Sequence, residues 1–385
     1  MIRKQLSKVN ELSRKRNSYK TLNIIEINKS NLINNYLLFQ NLNPDKKIIP
    51  VLKSNAYGHG LRQVTTILNE IDCSFIAVDG YFEAHKIKYL TKHKILVMGY
   101  VLQDNAKLLD NKTCSYVIQD IESLISLANM KKKFNIHMEI NSGMNRLGIK
   151  PSEIDSYLKV LSQYESLTLE GIMTHLYDAD NSNDTITKQQ TEIFDSCVKH
   201  ILKKGFNPKY IHIAQSAGSV KCKSIYANCI RVGIGLYGIN PLSPVDKKYY
   251  LLNSLKPVLE LKSTIIKIHN LKPKQKVSYN GIYQTKINQR IGVLPIGYYE
   301  WVPRELSNVG IFSNKKRLLP IRGRVCMNHT MIDLSNTKLK KGDSLTLISV
   351  DKNMPNSIEN ISKQYGMFSY SLLTSINETI RRVIV

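Results

Sequence analysis

The sequence predicts an α/β protein: a (β/α)8 barrel followed by a mainly β C-terminal domain. Two observations carry that prediction. From residue 22 to about residue 238, short apolar runs alternate with longer helical or mixed segments. After residue 255 helical periodicity gives way to β-branched runs broken by turn signals. Continuous apolar strands separated by helical patterns argue for a parallel sheet covered by helices. A chain of 385 residues holds such a barrel and a smaller second domain.

The barrel strands are read from "KIIPVL", "SFIAV", "KILVMG", "SYVI", "FNIHMEI", "LEGIMTH", "YIHIA" and "CIRVGIGLYG", eight runs whose starts are mostly one βα unit apart. Ahead of them, "INKSNLINNYLLFQNLN" predicts a helix, with Ser30 as its N-cap and Leu32, Ile33, Tyr36 and Leu37 on one face. The second domain is read from "PVLELKSTIIKIHNLK", "RIGVLPIG", "VGIFSNKKRLLPIRGRVCMNHTMIDLS" and "GDSLTLISV", with a short helix near "SIENISKQY". The predicted organisation is a basic tail over 1–21, a barrel over 22–255 and a β domain over 256–385.

Composition narrows the class. Hydrophobic residues make up 42% and prolines number 12, as in an ordinary globular protein. Lys and Arg total 55 against 30 Asp and Glu, a formal charge of +25. The lysines are scattered and form no basic stripe interleaved with aromatics, so they read as solvated surface rather than a nucleic-acid face. The six cysteines show no CxxC pair and no zinc spacing, so no metal is expected, and reduced thiols in apolar runs fit a cytoplasmic protein. No apolar stretch approaches the ~20 residues a membrane helix needs, and the basic N-terminus lacks a signal-peptide centre.

In a barrel of this kind the site lies at the C-terminal ends of the strands. Lys53 follows the first run, Arg146 the fifth and Ser216 the seventh, while His175 closes the sixth and Arg231 lies within the eighth. Lys53 in "PVLKSNAYGHG" ends a buried strand, where desolvation eases loss of its proton and lets it form a Schiff base with an aldehyde. The loop just beyond, with two glycines, Asn55, Tyr57 and His59, could hold an anion.

The blocks "VLKSNAYGHG", "NSGMNRLG", "GIMTHLYDAD", "HIAQSAGS", "RVGIGLYG", "KVSYNGIY", "LPIGYY", "GRVCMNH" and "FSYSLLTSINETIRR" run in the order and spacing of the alanine racemases, which the sequence resembles from residue 22 to its end. The resemblance implies a pyridoxal 5'-phosphate (PLP) enzyme that interconverts L- and D-alanine, supplying D-alanine for peptidoglycan. It makes Lys53 the cofactor-bearing lysine and one of two catalytic groups. Tyr279, reaching the active site of the partner subunit, is the second, so an active homodimer is implied. Two groups are needed because one base confined to a single face would return the proton where it found it. Tyr57, Ser216, Gly233, Ile234 and Tyr370 match phosphate contacts. Arg231 matches the partner of the ring nitrogen, and His175 a histidine donating toward it. Arg146, the Met327 backbone and Tyr298 match substrate contacts.

Three positions depart from the family pattern. Glu139 stands where most members carry a lysine that becomes carbamylated, and it offers Arg146 the same sign of charge. Asn328 replaces an acid, leaving the preference for alanine over serine or larger substrates open, and Val232 replaces a proline. The alternatives on the same scaffold are a serine or broad-specificity racemase and a PLP-dependent decarboxylase.

Overall fold

The computed structural model describes residues 20–130 and 132–385, so the predicted basic tail lies almost wholly outside the described residues. Two compact units form. One comprises 27–259 with 349–378 and 384–385; the other comprises 260–348 with the described residues up to Glu26 and 379–383.

A short strand, Asn23–Ile27 (β1), opens the described chain; the sequence reading did not pick it out. The helix Lys29–Leu42 follows, burying Leu32, Asn35, Tyr36 and Phe39. Its N-cap is Asn28, not Ser30: the Asn28 side chain accepts the Asn31 N–H at 2.9 Å, which places Ser30 inside the first turn.

The first unit is the predicted barrel. Its strands are β2 (Lys47–Pro50), β3 (Phe75–Val78), β4 (Lys94–Val97), β5 (Cys114–Ile118), β6 (Phe134–Glu139), β7 (Leu167–Met173), β8 (Tyr210–His212) and β9 (Cys229–Val232). Each corresponds to one predicted run. They are parallel and hydrogen-bonded in the order β2-β9-β8-β7-β6-β5-β4-β3. A parallel bridge between Val51 and Ala77, with Leu52 N donating to Ala77 O at 2.7 Å, joins the ends into a ring. Burial explains the continuous apolar runs: every residue of β3 and β5 is buried, because one face packs into the barrel and the other under helices.

The second unit is mainly β, as predicted. Its strands are β10 (Leu259–Thr264), β11 (Lys267–Leu271), β12 (Lys276–Val277), β13 (Tyr283–Gln284), β14 (Gln289–Leu294), β15 (Ile311–Asn314), β16 (Arg317–Pro320), β17 (Thr330–Asp333), β18 (Ser344–Ile348) and β19 (Arg381–Ile384). They form a six-stranded sheet in the order β16-β15-β18-β10-β1-β19, a three-stranded sheet β11-β14-β17 and the pair β12-β13. β10 shows the period of two that one-sided burial imposes: Leu259, Leu261 and Ser263 are buried and the residues between are not. The expected short helix is Ile358–Tyr365, capped by Ser357 and grouped with the barrel unit. All six cysteines are free, five of them buried. No helix among the described residues is long and apolar enough to cross a membrane.

Candidate active site

Beyond β2 the backbone turns the wrong way for L-amino acids. Ser54, Asn55, Ala56 and Tyr57 all have φ between 51° and 56°, a turn of left-handed helix opened by Lys53. Each such residue is disfavoured by roughly 1–2 kcal/mol, so the surroundings must impose the turn. Glu83 does so through both carboxylate oxygens, which accept the N–H of Asn55 and of Asp79 at 3.0 Å each. Asn55 in turn accepts the Leu61 N–H at 2.8 Å. Gly58 closes the turn at φ 81°, and a Cβ there would lie 2.0 Å from the Leu373 carbonyl oxygen, so only glycine fits. The result leaves Lys53 half-buried at the strand end and sends Tyr57 inward.

Tyr57 arrives beside the end of β9. A Cβ on Gly233 would meet the Tyr57 hydroxyl at 2.6 Å, so glycine lets the phenol approach the backbone. The buried Ser216 hydroxyl accepts the N–H of Gly233 at 3.1 Å and of Gly235 at 3.3 Å, tying the segment after β8 to the one after β9. Ile234 opens the short 3-10 turn that follows. Tyr370 joins them, its ring 6.1 Å from that of Tyr57. Burial pushes the Tyr57 phenol well above its ordinary range and Tyr370 up to about 12. Both stay protonated, and protonated hydroxyls are donors to an anion. The five residues predicted to hold a phosphate are thus brought together at one end of the barrel, and this donor set fits a dianion.

A second cluster surrounds Arg231, 2% exposed on β9. Its Nη1 donates to His212 Nδ1 at 2.7 Å and to the His212 carbonyl at 3.0 Å; Nη2 donates to the Thr174 carbonyl at 2.6 Å and the Ile213 carbonyl at 3.2 Å. Burial pulls Arg231 down to about 10, which leaves it charged at neutral pH. His175 Nδ1 lies 3.3 Å from Nη2. The expected direction of that bond is reversed: a guanidinium can only donate, so His175 accepts. Burial, reinforced by Arg231, Arg146 and Lys53, lowers His175 to about 3, so the ring is neutral.

Glu139 is 5% exposed and feels the same three cations. Burial raises its pKa, and they oppose the rise together with a bond from Gln119 Nε2 at 3.2 Å. The direct hydrogen bond is therefore to Gln119, with Arg146 acting on Glu139 through its field. Arg146 itself is exposed, on a loop pinned at Asn141, whose side chain accepts the N–H of Gly143 and Asn145 at 3.1 Å.

The remaining predicted residues lie in the β unit and also converge. Tyr279 begins a 3-10 turn and is 67% exposed. Ser278 before it donates to the Arg324 carbonyl at 2.6 Å and lies 3.4 Å from Cys326 Sγ. The Tyr298 N–H reaches the Cys326 carbonyl and that of Tyr299 the Met327 carbonyl, each at 3.0 Å. A Cβ on Gly297 would lie 2.1 Å from the Cys326 oxygen, so the close approach of these segments requires glycine. Asn328 donates to Glu300 at 2.7 Å. Tyr279, Tyr298 and Met327 thus occupy neighbouring, exposed positions on one unit.

Sequence reading missed Glu83, Gln119 and His212, which bond the site residues, and His137, 2.8 Å from His212. Polar side chains at inward positions of apolar strands are the signal that could have found His137 and His212.

Comparison with known proteins places most of the chain. Residues 27–241 match the family described as alanine racemase, N-terminal domain, and residues 258–384 the alanine racemase C-terminal domain. Among curated relatives, the alanine racemase of Borreliella burgdorferi strain ZS7 is 32% identical over 369 residues, covering 93% of this chain and 96% of that protein. The Francisella tularensis enzyme of strain WY96-3418 is 31% identical over 373 residues, covering 94% of this chain and 100% of its own. Among solved structures, an alanine racemase of Clostridium difficile 630 superposes with a TM-score of 0.88 at 27% identity, covering 96% and 97% of the two chains. One from Bacillus anthracis with bound L-Ala-P gives 0.86 at 26% identity, covering 95% and 96%.

Proposed function

Because the chain belongs to the alanine racemase family, we propose that it interconverts L- and D-alanine with PLP, in the cytoplasm, as a homodimer that supplies D-alanine for peptidoglycan. One observation carries the reading. The end of the barrel brings together Lys53 on its left-handed turn, the buried Arg231 with His175 at 3.3 Å, and the hydroxyls of Tyr57 and Ser216 beside Gly233.

Tyr57, Ser216, Gly233, Ile234 and Tyr370 would hold the phosphate, Arg231 the ring nitrogen and Lys53 the aldehyde carbon. When bound, PLP withdraws electrons from the substrate α-carbon and makes its proton acidic enough to move. Arg231 has only donors and stays charged, so it offers the ring nitrogen a hydrogen bond and no exchangeable acid. Arg146 and the Met327 N–H would hold the substrate carboxylate, and Tyr298 would narrow the pocket to a small side chain. Lys53 Nζ takes or returns the proton on one face, and Tyr279 Oη of the partner subunit does so on the other.

The test is complementation between two dead variants. Lys53→Ala and Tyr279→Phe should each lose all but about a hundredth or less of the activity in either direction. Mixed one to one, unfolded and refolded together, they form hybrid dimers with one intact site, and about a quarter of the wild-type rate returns. A mixture that stays dead refutes the shared site. Chiral analysis of products from L-alanine, L-serine and larger amino acids ranks substrates, and preferred serine turnover would select the rival reading left open by Asn328.

A further inference from the structure

Beneath Arg231 the barrel interior carries a line of polar side chains that the proposed chemistry does not use. Arg231 Nη1 lies 2.7 Å from His212 Nδ1, and His212 Nε2 lies 2.8 Å from His137 Nδ1. His137 Nε2 faces the Glu170 carboxylate at 3.6 Å, longer than a hydrogen bond, and among the described residues no other acceptor reaches that nitrogen. Glu170 is itself anchored, accepting from Ser115 Oγ at 2.5 Å and from Lys94 Nζ at 2.8 Å. Both histidines are completely buried, where barrels of this kind normally place branched apolar side chains. The His137 ring is fixed by Phe75 edge-on at 5.4 Å and by Tyr210 stacked at 6.0 Å. Gly171 makes room for it, since a Cβ there would sit 2.4 Å from His137 Nδ1.

The chemistry of the two ends dictates the order of protons between them. A guanidinium only donates, so His212 Nδ1 must accept. Burial keeps both rings neutral, so the single proton of His212 sits on Nε2 and is donated to His137 Nδ1. The proton of His137 is then left on Nε2, pointing at Glu170. The opposite order would set an N–H of His212 against an N–H of Arg231.

We propose that Glu170 is a positioning residue for Arg231. Its carboxylate attracts the last N–H of a two-histidine relay across 3.6 Å, and so favours both tautomers and keeps His212 Nδ1 open as the acceptor that orients the guanidinium. Burial favours the neutral acid, but the contacts with His137, Lys94 and Ser115 outweigh it and bring Glu170 down to about 2, so it is ionised throughout the working range. The consequence for cofactor binding rests on the reading of Arg231 given above; the proton order does not.

The experiment uses the full chain labelled with 15N-histidine, with tautomers read by NMR and PLP affinity by absorbance titration. In the wild type both rings are expected as Nε2–H. Glu170→Gln keeps an acceptor toward His137, and Lys94, 44% exposed, can swing away from the new amide. Its tautomers should be unchanged and its PLP affinity within about threefold. Glu170→Leu removes the acceptor; the Nε2–H order at His137 and His212 should be lost and PLP affinity should fall about tenfold or more. Should Glu170→Leu not fold, Glu170→Asp withdraws the acceptor by one methylene, and a mixed tautomer signal at His137 supports the relay. Nδ1–H on His212 in the wild type overturns the proposal. So do unchanged tautomers with unchanged PLP affinity in Glu170→Leu, or in Glu170→Asp where that variant stands in. If the tautomers follow Glu170 while even the wild type fails to bind PLP, the relay stands and the cofactor reading falls.

Discussion

The two units present their candidate functional groups in different ways. In the barrel unit Arg231 is sunk, 2% exposed, with its two terminal nitrogens donating to His212, Thr174 and Ile213, while Arg146 alone of the three site cations stands exposed. In the β unit the backbone is fixed just as firmly, yet the side chains of Tyr279, Tyr298 and Met327 are 67%, 46% and 54% exposed. A group enclosed by its own fold is inseparable from stability. A group held only by its backbone can change reactivity without changing the fold. The contrast shows which groups owe their placement to packing inside the fold and which owe it to the backbone alone.

The largest effects should separate those two cases. Arg231→Lys replaces a planar fork by a single ammonium and strands the His212 nitrogen and buried carbonyls, so it is expected to lower folding stability by about 3–5 kcal/mol and weaken PLP binding. Tyr279→Phe removes one exposed hydroxyl. Racemisation should fall about 10²–10⁴-fold while the unfolding midpoint moves by no more than about 0.5 kcal/mol. Thermal unfolding and rates in both directions check the pair. If Tyr279→Phe destabilises as Arg231→Lys does, the tyrosine is a packing residue and the contrast fails.

Acid titration sharpens the same comparison on the barrel side. In the unfolded chain an imidazole takes up a proton near pH 6.5, whereas burial, with the field of Arg231, keeps His137, His175 and His212 neutral when folded. Unfolding therefore takes up protons, and stability present above about pH 6.5 is lost as the pH falls. Each such histidine contributes a slope of up to about 1.4 kcal/mol per pH unit. Urea midpoints at successive pH values between 7 and 5 check this; midpoints that stay level would mean the rings take up protons in the fold as they do in the unfolded chain. Hydrogen exchange should place the earliest loss of protection in the barrel strands.

Much of this architecture was legible because the barrel strands are buried on both faces and so are written as unbroken apolar runs. The reading failed where a short segment borrows its partners from far away. Asn23–Ile27 is a strand only because β10 and β19, from the other end of the chain, lie beside it. The cap of the first helix was misplaced because Asn28 and Ser30 both suit the role, and the choice is made by which residue leaves the helical path. The residues that contact a ligand sit in recognisable motifs, but those that orient them do not. His137 and His212 are 75 positions apart and become partners only through the strand order, and Glu170 stands on a strand between theirs.

Glu83 offers the finest test of the comparison, because it stabilises the barrel rim without touching any group of the cluster around Arg231. Its two oxygens hold the N–H of Asn55 and of Asp79, and so clamp the left-handed turn that carries Lys53 to the end of β3. Glu83→Gln keeps one acceptor oxygen and turns the other arm into a donor facing an N–H, so one clamp is lost. Glu83→Ala loses both and frees four residues that prefer another conformation. The expected cost is about 1 kcal/mol for Gln and about 2 kcal/mol for Ala, with turnover falling more than substrate affinity as Lys53 wanders. Hydrogen exchange at residues 54–60 reports the loosening directly. Were exchange there unaltered in Glu83→Ala, the turn would be held by the Asn55–Leu61 bond and the close approach of Gly58 to Leu373, and the rim would not owe its shape to the carboxylate.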